Sequence, residues 1–322
     1  MKGAVYPVAM PGLGEASCLG MGCASLGSRV SERDGLAALE RAHAAGIHWY
    51  DVAPAYGGGE AEDILGRFLK GRRAGLMICT KVGLMPPKSS GVKRALRGTL
   101  RPVVGVLGPL RAMIRKSGAT ANRAVELTPD LLRGSLDRSL TRLGTEQVDV
   151  YALHNARAED LARDEIRATC AALLAEGKAR VIAVAGDTDA ARAAIAIGAP
   201  FGLVQFAQPA GDDPAMDLFA AAHAAGIGVV THSVFGVSGS LQALTRRLKG
   251  DPALATRLAE AGYAGPPDAA AARLLLARAR AANARGVVLS SMFSERSLAA
   301  NLAGAAAPPD PAALALCAEL GV

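Results

Sequence analysis

Four polar side chains stand at or just beyond short apolar runs of this chain: Asp51, Tyr56, Lys81 and His154. A tyrosine hydroxyl ordinarily titrates at about 10, too high for efficient proton donation at neutral pH, and a neighbouring ammonium lowers that value. Lys81 can supply the ammonium, Asp51 can hold the lysine, and a histidine can hydrogen-bond a substrate oxygen. Together the four would form a general acid aimed at a carbonyl group.

Each of these residues also has an ordinary structural explanation. A lone lysine after a strand is most often solvated in a loop, and a lone histidine at a strand end most often makes a structural hydrogen bond. The four side chains are informative only if the fold brings them to one place. The elements that carry them therefore decide between the two explanations.

Eight short apolar runs alternate with amphipathic segments of helical periodicity. The runs are CLGMGCAS, IHWYDVAP, LMICTKVG, QVDVYALHN, ARVIAVAG, LVQFAQ, GVVTHSVFG and GVVLSSM. Each is apolar throughout, as parallel strands buried on both faces are, so the repeat predicts an α/β protein closed into a (β/α)8 TIM barrel. An open doubly wound sheet is the competing arrangement. It predicts a GxGxxG loop after the first strand, which LGMGCASLG does not contain.

One barrel accounts for the whole chain, so we expect a single domain over residues 1–322, although the length alone would also allow two. Residues 84–127 interrupt the repeat after the third strand, and residues 236–266 interrupt it after the seventh. Both segments follow the carboxyl end of a strand, which is the face where barrels build active sites. We therefore expect two long loops that cover a substrate.

The net charge of +7 comes from one part of the chain. The stretch between Asp63 and Glu126 holds 14 of the 36 basic residues and no acidic one, and the remainder is net acidic, which argues against a protein that coats nucleic acid. Within residues 93–116, apolar positions recur at helical spacing, but Pro102 and Pro109 argue against one continuous helix. A solvated lid, recognition of an anionic substrate, and membrane or nucleic-acid contact are the alternatives for this segment. The stretch has no aromatic residue for base stacking.

Cysteine usage and the start of the chain predict a cytoplasmic protein. The five cysteines are odd in number and none lies in a metal-ligand spacing, so we expect reduced thiols and no metal site. The first 25 residues contain Pro7, Pro11 and Glu15 and lack the apolar run of a secretory signal. No run reaches the roughly 18 apolar residues that a membrane span needs.

Several stretches resemble successive signatures of the aldo-keto reductases: WYDVAPAYGGGEAEDILGRFL, ICTKVG, TPDLLRGSLDRSLTRLGTEQVDVYALHN and SSMFSERSLAANL. The Asp-x4-Tyr pair, the lysine about thirty residues after that Asp, and the SLxxSLxRLGxxxVDxxxLH segment occur in the family's order. The short glycine-rich stretch after Tyr56 is more similar to the family's sugar dehydrogenases than to its long-loop reductases.

The resemblance implies an oxidoreductase that interconverts a carbonyl and an alcohol, with a nicotinamide cofactor across the barrel mouth. It implies Tyr56 as the proton donor, Lys81 and Asp51 as the pair that tunes it, and His154 as the residue that orients the carbonyl. The implied substrate is a small carbonyl or alcohol such as a sugar, with negative charge if the basic segment recognises it.

The resemblance also implies which residues hold the cofactor. Gln205 corresponds to the side chain that binds the nicotinamide carboxamide, whereas Ala185 and Gly186 replace the Ser and Asn that usually end strand five. Either part of that binding site is missing or Asp187 takes its place. His232 stands where an aromatic residue usually stacks on the nicotinamide. Further implied contacts are Gly22, Cys23, Asp51, Ser233 and Phe235.

After strand eight, the family binds the adenosine 2′-phosphate at a helix N-terminus. The implied contacts there are Ser291, Met292, Ser294, Arg296, Ser297 and Asn301. A basic residue common at the start of this stretch is here Ser291, and Glu295 would oppose an anion. The frequency of NADP(H) in the family favours that cofactor, with NAD(H) as the alternative.

Two other functions are weighed against the oxidoreductase. A cofactor-sensing or partner-binding barrel of the same family with little catalysis would fit the altered carboxamide and phosphate positions. A barrel lyase that uses Lys81 as a Schiff base would need a glycine-rich phosphate loop after strand seven or eight, which the sequence lacks. The intact set of four polar residues favours the oxidoreductase.

Overall fold

The first element that the structure describes is an antiparallel hairpin of β1 (Pro7–Met10) and β2 (Gly14–Ser17). The structure is a computed structural model that describes residues 5–86, 122–208, 214–235, 239–306 and 308–321. Val8, Met10 and Leu13 are buried, and Leu13 O accepts a hydrogen bond of 2.9 Å from the guanidinium of Arg180. The hairpin therefore covers one end of the strands that follow. The sequence patterns did not predict it.

Eight parallel strands close into a barrel and succeed one another around it in chain order. They are β3 (Leu19–Gly22), β4 (Trp49–Asp51), β5 (Met77–Val82), β8 (Val148–His154), β9 (Ala179–Ala185), β10 (Phe201–Ala207), β11 (Gly228–His232) and β12 (Val287–Ser290). Seven lie within the predicted apolar runs and β10 begins two residues before its run, at Phe201, so the predicted TIM barrel is confirmed. Every residue of Met77–Val82 is buried, as a parallel strand covered on both faces requires.

Helices connect the strands and cover the outside of the barrel. They are α1 (Glu32–Ala44), α2 (Ala61–Leu69), α3 (Pro129–Leu143), α4 (Ala158–Ala162), α5 (Asp164–Ala175), α6 (Thr188–Ile197), α7 (Leu218–Ala224), α8 (Ser240–Gly250), α9 (Pro252–Leu258), α10 (Pro267–Ala282), α11 (Glu295–Ala305) and α12 (Ala312–Leu320). Local signals mark their ends. Thr128 caps α3 by accepting a hydrogen bond from Leu131 N, and Gly144 ends it in the left-handed region at φ 65°.

The basic segment after β5 is described only at its two ends. There β6 (Leu84–Met85) pairs antiparallel with β7 (Arg123–Ala124). Residues 87–121, which include the amphipathic pattern over 93–116, lie outside the described residues. The strand pair brings both ends of the segment together beside the carboxyl end of β5.

The second long segment, after β11, is mostly helical in its described part. It contains α8, α9 and a π-helical turn at Ala259–Tyr263, and α10 begins directly after the segment. Its prolines occupy helix starts, since Pro252 follows the N-cap Asp251 and Pro266 is the N-cap of α10, where a missing N–H costs little. These helices bury a separate apolar cluster with α12.

The five cysteines, Cys18, Cys23, Cys79, Cys170 and Cys317, are buried free thiols. None of the helices within the described ranges is both long and apolar enough to cross a membrane.

Candidate active site

The candidate catalytic residues lie at the carboxyl ends of neighbouring barrel strands. Asp51 ends β4, Lys81 is the penultimate residue of β5, and His154 ends β8. These three strands are consecutive around the barrel, and parallel strands bring their carboxyl ends to one mouth. Tyr56 opens a short 3-10 turn just after β4, at the same mouth.

Asp51 and Lys81 form a buried ion pair. Lys81 Nζ donates to Asp51 Oδ1 at 2.5 Å and to the backbone oxygen of Val52 at 3.0 Å. Their exposed fractions are only 1% and 3%. Burial is the largest single influence and would lower the pKa of Lys81, but the charge and hydrogen bond of Asp51, together with Tyr56 and Cys79, outweigh it and the pKa is raised. Lys81 is therefore a protonated ammonium at neutral pH, which makes it a poor Schiff-base nucleophile.

Tyr56 lies against both Lys81 and His154. The centroid of its ring is 5.2 Å from Lys81 Nζ and 6.0 Å from the centroid of the His154 ring, with an angle of 89° between the two rings. Burial raises the pKa of Tyr56, and the Lys81 ammonium lowers it in part. We expected a net lowering from the lysine. The structure differs because burial of the phenol outweighs the nearby charge.

His154 is a neutral imidazole at physiological pH. Burial, with smaller contributions from the charges of Lys81 and His232, lowers its pKa to about 3. Its Nδ1 is buried and has no hydrogen-bond partner among the described residues. A neutral imidazole carries one N–H, so His154 can donate a hydrogen bond to a substrate oxygen without supplying a net charge.

These side chains open into a cavity of about 540 Å³ at the barrel mouth. The residues expected at the site that line it are Gly22, Asp51, Tyr56, Lys81, His154, Gln205, His232, Ser233 and Ser291. A second cavity, of about 520 Å³, lies at the opposite end of the barrel beside Val8 and Gly228 and contains none of them. The fold thus gathers the catalytic candidates and the nearer part of the expected cofactor set.

Gln205 connects the ion pair to the expected cofactor position. Its Nε2 donates to Asp51 Oδ2 at 3.1 Å, while its Oε1 is buried and has no partner among the described residues. A buried acceptor without a donor is costly, and an amide N–H of a bound ligand would satisfy it. Gln205 therefore fits the carboxamide end of a nicotinamide.

His232 and Ser233 close the cavity from β11. His232 Nδ1 lies 2.8 Å from Ser233 Oγ, and Ser233 has a positive φ of 59°, which is uncommon for a residue with a side chain. Burial lowers the pKa of His232, so its ring is neutral. The arrangement presents a flat, uncharged ring at the cavity wall, as stacking on a nicotinamide requires.

The residues expected at the 2′-phosphate form a helix start. Ser294 is the N-cap of α11 and exchanges hydrogen bonds with Ser297 in a capping box. Arg296 is exposed and pairs with Asp268 on α10 at 2.8 Å. Asn301 is buried and donates to Ser290 Oγ, which lines the cavity, at 2.9 Å.

Three other expected contacts lie away from the cavity lining. Cys23 and Met292 have no exposed surface, and Phe235 packs between the barrel core and the second apolar cluster. The backbone N–H of Cys23 donates to Asp51 O at 2.8 Å, so this residue supports the strand end that carries the aspartate.

A family model and known proteins match this chain. The model of the aldo/keto reductase family matches residues 18–317. The chain belongs to the aldo/keto reductase family. The resemblance seen in the sequence is thereby confirmed.

Two curated relatives of this chain share about a third of the matched residues. A D-threo-aldose 1-dehydrogenase of Pseudomonas sp is 32% identical over 157 residues, which are 44% of this chain and 41% of that protein. A pyridoxal 4-dehydrogenase of Microbacterium luteolum is 33% identical over 143 residues, covering 43% of this chain and 40% of that protein. The chain thus spans about two fifths of the length of the curated relatives it matches.

Solved structures share the fold over nearly the whole chain. An aldo-keto reductase of Bacillus halodurans in its holo form has a TM-score of 0.70 at 19% identity, covering 98% of this chain and 96% of the other. An aldo-keto reductase of Klebsiella pneumoniae in complex with NADPH has a TM-score of 0.69 at 19% identity, covering 99% and 95%.

Other residues that line the cavity at the barrel mouth were not expected from the sequence. Arg29 and Ser25 follow β3, Leu84 follows β5, and Asn155 follows His154 with a positive φ of 59°. Their position in the loops after barrel strands is the signal that could have found them, because those loops form the mouth. No cluster of three or more metal-ligating side chains occurs in the described part of the chain.

Proposed function

We propose that this protein is an NADP(H)-dependent oxidoreductase that interconverts a carbonyl and an alcohol, with Tyr56 as the general acid and base. The observation that carries the proposal is the meeting of Tyr56, the buried Asp51–Lys81 ion pair and the neutral His154 at one cavity. Each of these groups has a distinct part in moving a proton at a carbonyl oxygen. Membership of the aldo/keto reductase family supports the same reaction class.

Residues across the mouth fit a nicotinamide dinucleotide. Gln205 Oε1 would accept from the carboxamide, and the His232 ring would face the nicotinamide. Ser294 and Ser297, at the N-terminus of α11, would receive the phosphate of the adenosine ribose, where backbone N–H groups favour an anion. When bound, the cofactor supplies the hydride for reduction or accepts it in oxidation.

In reduction, Tyr56 gives the proton of its hydroxyl to the carbonyl oxygen. The Lys81 ammonium stabilises the phenolate that remains, and Asp51 keeps the lysine charged and in place. His154 donates a hydrogen bond to the same oxygen and orients it. In alcohol oxidation the proton moves the opposite way, from the substrate hydroxyl to the phenolate, with the same three groups in support.

The substrate we propose is a small polar molecule such as a sugar or another polyol. The cavity is lined by Arg29, Asn155 and Ser25 in addition to the catalytic groups, which suits a ligand with several hydroxyl groups. Similarity to an aldose dehydrogenase and to a pyridoxal dehydrogenase supports the same class. Arg29 in the cavity lining favours a substrate with negative charge.

Replacing Tyr56 with Phe tests the proposal directly. The variant keeps the ring and loses the proton, so we expect turnover to fall by about 10²-fold to 10⁴-fold while NADPH binding, followed by nicotinamide fluorescence, stays close to that of the unmodified protein. Parallel titration with NADPH and NADH identifies the preferred cofactor, which is then used with a panel of aldehydes, ketones and sugars. Full activity of Tyr56→Phe would contradict the assignment of Tyr56. Tight cofactor binding without turnover of any substrate would favour a cofactor-sensing barrel.

A further inference from the structure

A second buried carboxylate lies outside the cavity, between the segments that carry Tyr56 and Lys81. Glu62, in the first turn of α2, has no exposed surface. It accepts a hydrogen bond of 2.6 Å from Thr80 Oγ1 and one of 3.1 Å from Arg142 Nη1 on α3. A carboxylate is buried only when it is paired and hydrogen-bonded. The Glu62 contacts are therefore specific restraints on α2, α3 and β5.

Thr80 connects this carboxylate to the catalytic lysine. Successive side chains of a strand point to opposite faces. Thr80 thus faces the helices, where it meets Glu62, and Lys81 faces the barrel interior, where it meets Asp51. The hydrogen bond from Thr80 to Glu62 ties α2 to the residue next to Lys81.

The backbone between Tyr56 and Glu62 is unusually free to change conformation. Gly57, Gly58 and Gly59 follow Tyr56, with φ values of 62°, 71° and 100°. Glycine has no Cβ and adopts a wider range of φ and ψ angles than any other residue. The conformation of this run therefore depends on contacts at its two ends. At the first end, a Cβ on Gly57 would lie 2.2 Å from Leu26 O, so the chain is packed closely there.

We infer that Glu62 is a positioning residue, which acts through Thr80 to hold Tyr56 at a set distance from the Lys81 ammonium. Glu62 touches neither the cavity nor the reacting atoms. The inference deepens the proposed function and depends on it for the role of Tyr56. Its physical basis is that the glycine run keeps Tyr56 in place only when both of its ends are anchored, and the hydrogen bond between Glu62 and Thr80 anchors the α2 end.

The matched variants Thr80→Val and Thr80→Ser test this inference. Valine keeps the shape of threonine and removes the hydroxyl, so we expect kcat to fall by about tenfold to hundredfold with little change in KM. A weaker influence of the ammonium also raises the pKa of Tyr56, so the alkaline limb of the pH profile for reduction moves to higher pH. Serine keeps the hydroxyl and should restore both quantities. Glu62→Gln should resemble Thr80→Val in its pH profile if it folds.

The control is Asp149→Asn, which removes a buried carboxylate at the other end of the barrel, where Arg73 and Arg180 bind it. It should reduce stability and leave the pH profile unchanged. If Thr80→Val does the same, Glu62 is only a structural group and the inference is wrong.

Titration of Tyr56 by NMR of ¹³C-labelled tyrosine provides a readout that needs no turnover. The Tyr56 signal is assigned by its loss in Tyr56→Phe. An upward shift of its pKa in Thr80→Val, reversed in Thr80→Ser, supports the positioning role even if no substrate is turned over, in which case only the proposed function fails. An unchanged titration in Thr80→Val overturns the inference even where the wild type is active.

Discussion

Each end of the barrel buries an aspartate, and the two aspartates have different hydrogen-bond partners. At the amino end, Asp149 accepts from Arg73, from Arg180 and from Ile78 N, at 2.8–2.9 Å. At the carboxyl end, Asp51 binds Lys81 at 2.5 Å and Gln205 at 3.1 Å. One strand, β5, contacts both aspartates, since Ile78 and Lys81 lie three residues apart on it.

The two aspartates differ in how far the cations that bind them are exposed to water. The side chains of Arg73 and Arg180 are 29% and 38% exposed, so their charges remain partly hydrated. The side chain of Lys81 is 1% exposed, and its charge acts on Tyr56 in a medium that screens it weakly. A buried carboxylate with hydrated partners stabilises the fold, whereas in the proposed mechanism one that holds a buried cation beside a phenol also supports proton transfer.

Removing the buried cation should have the largest effect. In Lys81→Met the phenolate of Tyr56 loses its stabilising charge, and we expect turnover to fall by about 10²-fold to 10⁴-fold. The unpaired Asp51 should also cost about 3–5 kcal/mol of stability. Adding Asp51→Asn should recover much of that stability, measured by urea unfolding, and none of the turnover. Recovery of turnover in the double variant would mean that the ion pair is structural, like its counterpart at the amino end.

Asp149→Asn should separate stability from catalysis at the amino end. The change weakens two charge-assisted hydrogen bonds, so we expect the free energy of unfolding to fall by about 3 kcal/mol while kcat stays near that of the wild type. Urea unfolding and steady-state kinetics on one preparation measure both. A loss of kcat comparable with that of Lys81→Met would remove the functional distinction between the two ends.

The smallest expected effect is a pH dependence of stability from His154. Its pKa is about 3 in the folded chain, and the ordinary value of 6.5 applies in the unfolded chain. Between these two pH values the unfolded chain binds a proton that the folded chain does not. Its contribution to stability is complete above the ordinary value and is lost as the pH falls towards about 3, with a slope of at most ~1.4 kcal/mol per pH unit. His154→Gln should remove that slope in unfolding measured at pH 7 and pH 5. Arginines at the amino end stay charged over this range, so equal slopes in wild type and variant would contradict the assigned burial of His154.

Much of the barrel could be predicted because its signals are local. Eight apolar runs of strand length, separated by helical periodicity, specify parallel strands, and all eight were found. The hairpin β1–β2 was missed because its strands are four residues each and carry little alternation of apolar and polar residues. Residues 236–266 were expected to form a loop because they interrupt the strand and helix repeat, whereas the fold makes helices there whose prolines stand at helix starts.

The candidate site was predictable to the extent that its residues stand at strand ends. Asp51, Lys81 and His154 follow from the strand positions, and Tyr56 from its spacing after Asp51. The contacts of Gln205 with Asp51, and of Glu62 with Thr80, join residues 154 and 18 positions apart, and no sequence pattern links them. Arg296 was expected at a phosphate site, and the fold pairs it with Asp268 on another helix.

The amino-acid sequence by itself determined the strand and helix pattern, the closure into a barrel, and which side chains reach the carboxyl ends of the strands. Only the tertiary structure decided which charges are buried, because burial depends on helices and strands distant in the chain. It therefore decided that Lys81 is held charged by Asp51, that His154 is neutral, and that burial raises the pKa of Tyr56 against the lysine. These are properties of the assembled mouth, where desolvation and charge compete over a few ångströms.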